Sequence, residues 1–276
     1  IFSILLVVFS FEIYLEFSYL LLTKKNSQEK IDKLDELNED KIKFYSNMYP
    51  NIFVHSNGLK SNKSLIFPLG GISNVNVLNC KESDYWSTFE TDEHGFNNPK
   101  LLYYKKIDVM LIGDSFTEGS CVKSEEVISS VMRKNNIATI NLGRGSNGPL
   151  IELALLMEYA KPLKPKNIIW LYYENDIRDL SFELSSPFLN NYLNKENFSQ
   201  NLISRQNEID VILKKYYKEK YQEIKKLKIS KRNIFHIIKL TNIRNHLISN
   251  RKKSFDNKNE LKKIFTKSNK IISSWN

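Results

Sequence analysis

The sequence predicts an α/β fold built on a doubly wound, flavodoxin-like parallel sheet. Three short apolar runs carry this prediction: IDVMLI at 107–112, IATINL at 137–142 and NIIWLYY at 167–173. Continuous apolar runs of this length are typical of strands buried on both faces of a parallel sheet. Helical patterns with short links separate the runs, which implies right-handed crossovers. We expect the sheet to be incomplete at its C-terminal end, with an N-terminal helix before it and a helical region after it.

The N-terminal segment predicts a membrane anchor. Residues 1–22 are apolar apart from Glu12, Glu16 and a few small polar residues. A transmembrane helix needs about 20 mostly apolar residues, and acidic side chains at the bilayer centre are costly. Because the chain starts at Ile1 rather than at Met, a helix that began further upstream would bring both glutamates towards the interface. We therefore predict a transmembrane helix over 1–22; a cleaved signal peptide and a buried core helix are the alternatives.

Two less regular segments follow. Residues 23–50 are polar with a narrow apolar stripe, which predicts a helical stalk that ends at Pro50. Residues 51–106 are rich in Gly, Asn and Ser and contain short β-like pieces such as NVNVLNC and YWSTFET. The predicted domain covers 51–180 and consists of this irregular β portion followed by the parallel sheet.

Helical patterns occupy the crossovers and the C-terminal region. Ser124 suits the N-cap of a helix with acidic residues in its first turn, and Pro149 suits the first turn of a helix over 149–161. Residues 181–276 predict helices and no convincing strand. Their expected positions are 196–227, 233–248 and 259–274. The pattern fits a lid over a site and a layer on a membrane surface equally well.

Net charge raises the question of a nucleic-acid partner. The chain has 41 Lys+Arg against 31 Asp+Glu, a net charge of +10, and basic proteins often bind nucleic acids. Much of the excess lies beyond residue 212, away from the apolar runs, and no DNA- or RNA-binding motif accompanies it. We predict a solvated helical face and no nucleic-acid partner. The two cysteines lack metal-ligand spacing, so we predict no metal and no cofactor.

A polar motif follows each predicted strand. Gly113-Asp114-Ser115 follows the first, NLGRGSNG (141–148) the second and ENDIRD (174–179) the third. Ligands of doubly wound sheets bind beyond the carboxyl ends of the strands, so we expect the three motifs to lie around one site.

This combination of residues suits acyl transfer. Ser115 is the candidate nucleophile for an ester carbonyl, and its own backbone N–H is a candidate oxyanion donor. A second donor would be the backbone N–H of Gly145 or Ser146, and a third the side-chain amide of Asn175. Such donors stabilise the charge that develops in the transition state.

At these motifs the chain resembles the SGNH (GDSL) hydrolases. The likeness lies in IGDSFTEG, NLGRGSNGP and YYENDIRD, and covers roughly 75–180. A GFNN segment at 95–98 precedes the serine block, as in bacterial membrane-anchored members. The resemblance implies a serine esterase or O-acyltransferase whose substrate is an acylated small molecule or an acylated, for example acetylated, envelope carbohydrate. It also implies a membrane-anchored protein with a periplasmic catalytic domain.

The chain departs from the family pattern in three ways. Ser146 stands where the second block has glycine, and Glu174 stands where a glycine often precedes Asn175. The family's base belongs to an Asp-x-x-His block, and no histidine here has Asp three residues before it. The four histidines are His55, His94, His236 and His246.

We therefore expect the catalytic His and Asp to be missing from a truncated chain that is inactive as it stands. The alternative is a non-catalytic envelope protein that has the SGNH fold and a binding or structural role. Nothing in the sequence indicates an oligomeric state.

Cys80 and Cys121 flank the serine block. In an oxidising compartment we expect them to form a disulfide that braces the loop carrying Ser115. The alternative is a pair of buried free thiols. A Cα–Cα distance above about 7 Å would exclude the bond.

Overall fold

The computed structural model describes residues 2–39, 42–62, 64–82, 84–225, 237–244 and 257–275. The chain is mixed α/β, about half helical, with small parallel and mixed sheets. It forms two compact units. One comprises 1–40 with 217–255, and the other comprises 41–216 with 256–276.

The first unit contains one long N-terminal helix, α1 (Phe2–Leu37). Glu12 and Glu16 of this helix are buried. The Glu12 carboxylate accepts the backbone N–H groups of Asn242 at 2.7 Å and Ile243 at 2.9 Å. The Asn242 side-chain amide donates to Glu12 at 2.9 Å and to Glu16 at 2.8 Å. Glu12 therefore satisfies two free backbone N–H groups of the helical turn 241–244, and Glu16 binds the Asn242 side chain.

The predicted transmembrane anchor over 1–22 is wrong, and so is the membrane-anchored localisation that depended on it. Within the described ranges, no helix combines the length and the apolar content that crossing a bilayer requires. The acidic pair interrupts the apolar run, and α1 continues without a break into polar sequence as far as Leu37. The stalk predicted over 23–50 also differs, because Phe44–Ser46 is a strand and Pro50 begins a 3-10 helix (Pro50–Phe53).

The second unit begins with an irregular β portion. Its strands are short, and they are β1 (Phe44–Ser46), β2 (Leu59–Lys60), β3 (Leu65–Ile66), β4 (Asn76–Leu78) and β5 (Thr88–Glu90). Strands β1, β4 and β5 form a mixed sheet in that order, with β1 parallel and β5 antiparallel to β4. Strands β2 and β3 pair as an antiparallel ribbon. The β-like pieces NVNVLNC and YWSTFET contain β4 and β5.

The parallel sheet that the sequence predicts is confirmed, with shorter strands. It consists of β6 (Val109–Ile112), β7 (Thr139–Asn141) and β8 (Asn167–Trp170). The order is β7-β6-β8, and both pairings are parallel. All residues of β6 are buried, as expected for a central strand, whereas β8 is partly exposed.

Helices surround this sheet in the second unit. They are α2 (Ser115–Glu118), α3 (Ile128–Lys134), α4 (Pro149–Leu155), α5 (Lys161–Leu163), α6 (Asp176–Glu183), α7 (Asn190–Asn194), the first part of α8 (Gln206–Lys225), whose residues from Tyr217 on belong to the first unit, and α9 (Lys258–Ser273). A π-helical turn (Leu156–Ala160) joins α4 to α5, and 3-10 turns occur at Leu102–Tyr104 and Leu202–Arg205. Helix α4 is fully buried and packs against α6, α7 and α9.

Three helix boundaries differ from the prediction. Helix α3 starts only at Ile128, and the Ser124 hydroxyl donates to the Thr88 carbonyl at 3.2 Å and caps no helix. The helix expected from residue 196 starts at Gln206 because the buried Glu158 carboxylate binds the N–H groups of Gln200 and Leu202 in a loop. The helix expected over 259–274 is α9. Most of the one expected over 233–248 lies outside the described residues.

Candidate functional site

The three polar motifs meet at the carboxyl edge of the parallel sheet. The Arg144 N–H, from the second motif, donates to the Gly113 carbonyl of the first at 3.3 Å. A Cβ atom on Gly113 would lie 2.1 Å from Thr117 Oγ1 and 2.9 Å from the Leu171 carbonyl oxygen. The end of β6 is therefore packed between α2 and the chain that leaves β8. Glycine at position 113 permits this close approach.

A single helical turn presents Ser115 at this edge. The buried Asp114 carboxylate accepts the Phe116 N–H at 2.9 Å and so caps α2. Gly119 ends the helix in the left-handed region at φ 77°, and its N–H donates to the Ser115 carbonyl at 3.1 Å. Asp114 and Gly119 thus fix both ends of the turn, with Ser115 at its first position.

The Ser115 side chain is half-buried. Neither its hydroxyl nor its backbone N–H forms a hydrogen bond with another residue that the structure describes. A free hydroxyl beside a free N–H is what a nucleophile that also contributes to an oxyanion hole requires.

The second loop offers Ser146, and not Gly145, as an oxyanion donor. The Gly145 N–H is directed at the buried carboxylate of Glu118, at 3.3 Å from Oε2. Ser146 is exposed and has a φ of 60°, in the left-handed region. Its N–H has no hydrogen-bond partner in the described part of the chain. This backbone conformation costs a residue with a Cβ roughly 1–2 kcal/mol, so the surrounding loop must hold it in place.

A buried ion pair fixes this loop against the serine turn. Glu118 and Arg144 are both almost fully buried, with Oε1 and Nη1 3.7 Å apart. Arg144 also donates to the Gly95 carbonyl at 3.1 Å and to the Met48 carbonyl. Asn47 donates to Glu118 at 2.9 Å. Sequence analysis missed this pair, although two charged residues inside glycine-rich motifs are a signal for it.

The GFNN segment has a structural role at the same edge. Asn97 donates to the Glu118 carbonyl at 3.1 Å. Asn98 pairs with the backbone of Asn141, accepting its N–H at 2.8 Å and donating to its carbonyl at 2.8 Å. The Asn141 side chain in turn accepts the Gly143 N–H at 2.8 Å. Asn97 and Asn98 therefore connect the GFNN segment both to the end of α2, which carries Ser115, and to the start of the second loop.

Asn175 lies in the third motif, directly before α6. Its side-chain amide donates to Asp179 at 3.0 Å and is half-buried. A primary amide has two N–H groups, so one remains for a ligand after the bond to Asp179. Asp176, the next residue, is buried and accepts the Tyr173 N–H at 2.7 Å. Both contacts hold the start of α6 in position.

Three buried carboxylates belong to the third motif and the helices beside it: Asp176, Glu183 and Glu152. Burial raises the pKa of Asp176 to about 6 and that of Glu183 to about 8. Burial also raises the pKa of Glu152 well above its ordinary value, and the charge of Asp176 adds to this. Glu183 accepts the N–H groups at the start of α4, those of Gly148, Leu150 and Ile151. Glu183 therefore keeps its proton to a higher pH than a solvent-exposed carboxyl does.

Neither described histidine forms a hydrogen bond with Ser115. His94 is buried between Tyr103 and Tyr159, with ring centroids 4.6 and 5.7 Å away, and burial lowers its pKa. His55 is exposed and lies against Phe182 at 4.8 Å. His236 and His246 lie outside the described residues. That the catalytic His and Asp are missing from the chain stays a prediction.

A disulfide joins Cys80 to Cys121, with the Cα atoms 5.1 Å apart. The Tyr85 hydroxyl donates to the Cys121 carbonyl at 2.9 Å. Cys121 follows α2 closely, so the bond attaches the end of the serine turn to the chain after β4. Among the described residues, no group of three or more His, Cys, Asp or Glu side chains is arranged to hold a metal ion.

No known protein family, no characterised protein and no solved structure is significantly similar to this chain.

Proposed function

We propose that this chain is a serine esterase or O-acyltransferase of the SGNH type, acting on an ester of an acylated small molecule or carbohydrate. One observation carries the proposal. The hydroxyl and the backbone N–H of Ser115 are both unpaired within the described residues, at the carboxyl edge of the central strand. The free N–H of Ser146 and the amide of Asn175 lie in the two neighbouring loops.

The chemistry follows from these groups. Ser115 Oγ attacks the carbonyl carbon of the ester and gives its proton to the histidine base of the SGNH pattern, which is neither of the described histidines and which returns the proton to the leaving alcohol. The tetrahedral oxyanion accepts hydrogen bonds from the N–H groups of Ser115 and Ser146 and from the Asn175 amide. Collapse of this intermediate expels the alcohol and leaves an acyl-serine. Water then releases the acid in an esterase, whereas the hydroxyl of an acceptor takes the acyl group in a transferase.

The strand order supports a doubly wound, flavodoxin-like sheet as part of the proposal. In chain order the strands of the parallel sheet are first, second and third, and in space they are second, first and third. Flavodoxin-like sheets begin with this arrangement, and their ligands bind between the first and third strands, where the winding reverses. Ser115 and Asn175 follow these two strands.

The second candidate function is a binding protein with the same site and no catalysis. It is favoured by the surroundings of the described histidines, because His55 packs on Phe182, His94 packs on Tyr103, and neither is hydrogen-bonded to Ser115. A serine without a base would keep its oxyanion donors and lose most of its nucleophilic activation.

A fluorophosphonate probe distinguishes the two candidates. An activated serine reacts with the probe covalently, so the full-length wild-type protein and a matched control, Ser124→Ala in the same full-length protein, are expected to label at the same rate. Ser115→Ala is expected not to label. If wild-type protein labels no faster than Ser115→Ala, the esterase proposal fails and the binding function is favoured.

A further inference from the structure

Two exposed aromatic rings flank the proposed nucleophile. Phe116 directly follows Ser115, and Tyr173 shortly precedes Asn175. Their ring centroids are 5.0 Å apart, with an angle of 48° between the ring planes. The pair therefore spans the gap between the serine turn and the third motif, next to both proposed catalytic groups.

The fold gains little from these rings. Phe116 is 61% exposed and Tyr173 is 54% exposed, whereas Thr117 and Glu118, the next residues of α2, are buried. A buried phenylalanine stabilises a fold mainly through the apolar area that it removes from water, and Phe116 removes little. Exposed apolar surface beside a functional group often marks a ligand-binding surface.

The surroundings indicate the kind of ligand. The two rings are exposed, and polar residues adjoin them in sequence: Ser115 precedes Phe116, and Glu174 and Asn175 follow Tyr173. A long acyl chain favours an apolar cavity that encloses it. A sugar ring has an apolar C–H face that can stack on aromatic rings and hydroxyls that reach polar groups at the rim.

We infer that Phe116 and Tyr173 form a stacking surface for the sugar ring of an O-acylated carbohydrate, which directs the ester of that sugar to Ser115. The inference deepens the proposed function and depends on it, because the direction of the ester assumes that Ser115 reacts. In this inference the two rings select the substrate and Ser115 breaks the ester bond. The two roles can therefore be tested separately.

Binding is measured first, without turnover. The Ser115→Ala protein is titrated with O-acetylated xylotetraose and O-acetylated chitotetraose by calorimetry, and saturable binding to at least one is expected. Adding Phe116→Ala or Tyr173→Ala is expected to raise the dissociation constant about tenfold, since each change removes a stacking ring. Tyr104→Ala is the matched control, because Tyr104 is 82% exposed and precedes β6. Surface substitutions of this kind cost little stability.

Two results would overturn the inference. One is the absence of saturable binding to either sugar by the Ser115→Ala protein. The other is unchanged binding in both ring variants. If the rings are needed to bind octanoylglycerol and not the sugars, the surface holds an acyl chain and the inference is also wrong.

Labelling separates this inference from the proposed function. The fluorophosphonate probe has no sugar, so labelling of the wild-type protein reports on Ser115 alone, and Tyr104→Ala is expected to label at the wild-type rate. Ring-dependent sugar binding without any labelling of wild-type protein would reject the esterase and keep the sugar surface. Labelling without ring-dependent sugar binding would keep the esterase and reject the sugar surface.

Discussion

The carboxylate of Glu118 and the guanidinium of Arg144 lie 3.7 Å apart, both almost fully buried, between the serine turn and the loop that follows β7. Removing one partner of a buried pair leaves the other charge uncompensated, at a cost of about 3–5 kcal/mol. We expect Glu118→Ala to lower the free energy of unfolding by that amount in urea titrations. Glu125→Ala, at an exposed position of the same segment, is the control. Equal unfolding midpoints for Glu118→Ala and wild type would show that the pair does not stabilise the fold.

Stability is expected to fall as the pH rises from about 5 to about 8. Burial raises the folded-state pKa of Glu183 to about 8 from an ordinary value of 4.5. The folded chain therefore keeps a proton that the unfolded chain loses in this range. The stabilisation is complete below pH 4.5 and is lost as the pH passes 8. Asp92, whose pKa burial raises to about 7, acts in the same direction.

Urea unfolding at pH 5 and pH 8 checks this dependence. Glu183→Gln cannot titrate, so the difference between the two pH values is expected to be smaller than in wild type. Glu174→Gln, at an exposed site, should keep the wild-type difference. A wild-type chain that is equally stable at both pH values would contradict the prediction.

Reduction of the disulfide is expected to destabilise the second unit. Cys80 and Cys121 are separated by 41 residues, and closing a loop of this length stabilises a fold by about 2–4 kcal/mol. Wild-type protein should unfold at lower urea with a reductant than without it. The Cys80→Ser/Cys121→Ser protein should unfold at the lower midpoint in both conditions. If the urea midpoint of wild-type protein is the same with and without the reductant, the disulfide does not stabilise the fold.

Asn175→Ala is expected to slow the labelling of Ser115 by a fluorophosphonate. Loss of one oxyanion donor typically lowers a reaction rate by ~10²–10³, and among the described residues the side chain is hydrogen-bonded only to Asp179. Rates are followed by mass spectrometry of the adduct. Asn194→Ala, at an exposed position, is the control. A normal rate in Asn175→Ala would remove this residue from the proposed site.

Local patterns were sufficient to predict the parallel sheet and the meeting of its three motifs. The four residues of β6 are apolar and wholly buried, so an apolar run followed by Gly-Asp-Ser contained the necessary information. The choice between Gly145 and Ser146 was different. It depends on the Glu118 carboxylate, which lies 27 residues away from Gly145 in sequence, and no local pattern reports such a contact.

The N-terminal prediction failed for a similar reason. Glu12 is bound by Asn242, which lies 230 residues further along the chain. The hydropathy of a segment depends on that segment alone. It therefore carries no information about a hydrogen-bond partner of the acidic pair that lies elsewhere in the chain. From the segment alone, acidic residues at the end of an apolar run predict a position at a membrane interface.

Arg144 contacts chain segments near Met48, Gly95 and Glu118. These segments are distant in sequence, so the loop that contains Gly145 acquires its contacts only when all of them have assembled. Local opening of the loop alone would break the buried ion pair and expose its charges. We therefore expect the Gly145 amide hydrogen to exchange with deuterium as slowly as the amides of β6, at the rate of global unfolding. Exchange at the faster rate of a surface loop would contradict this.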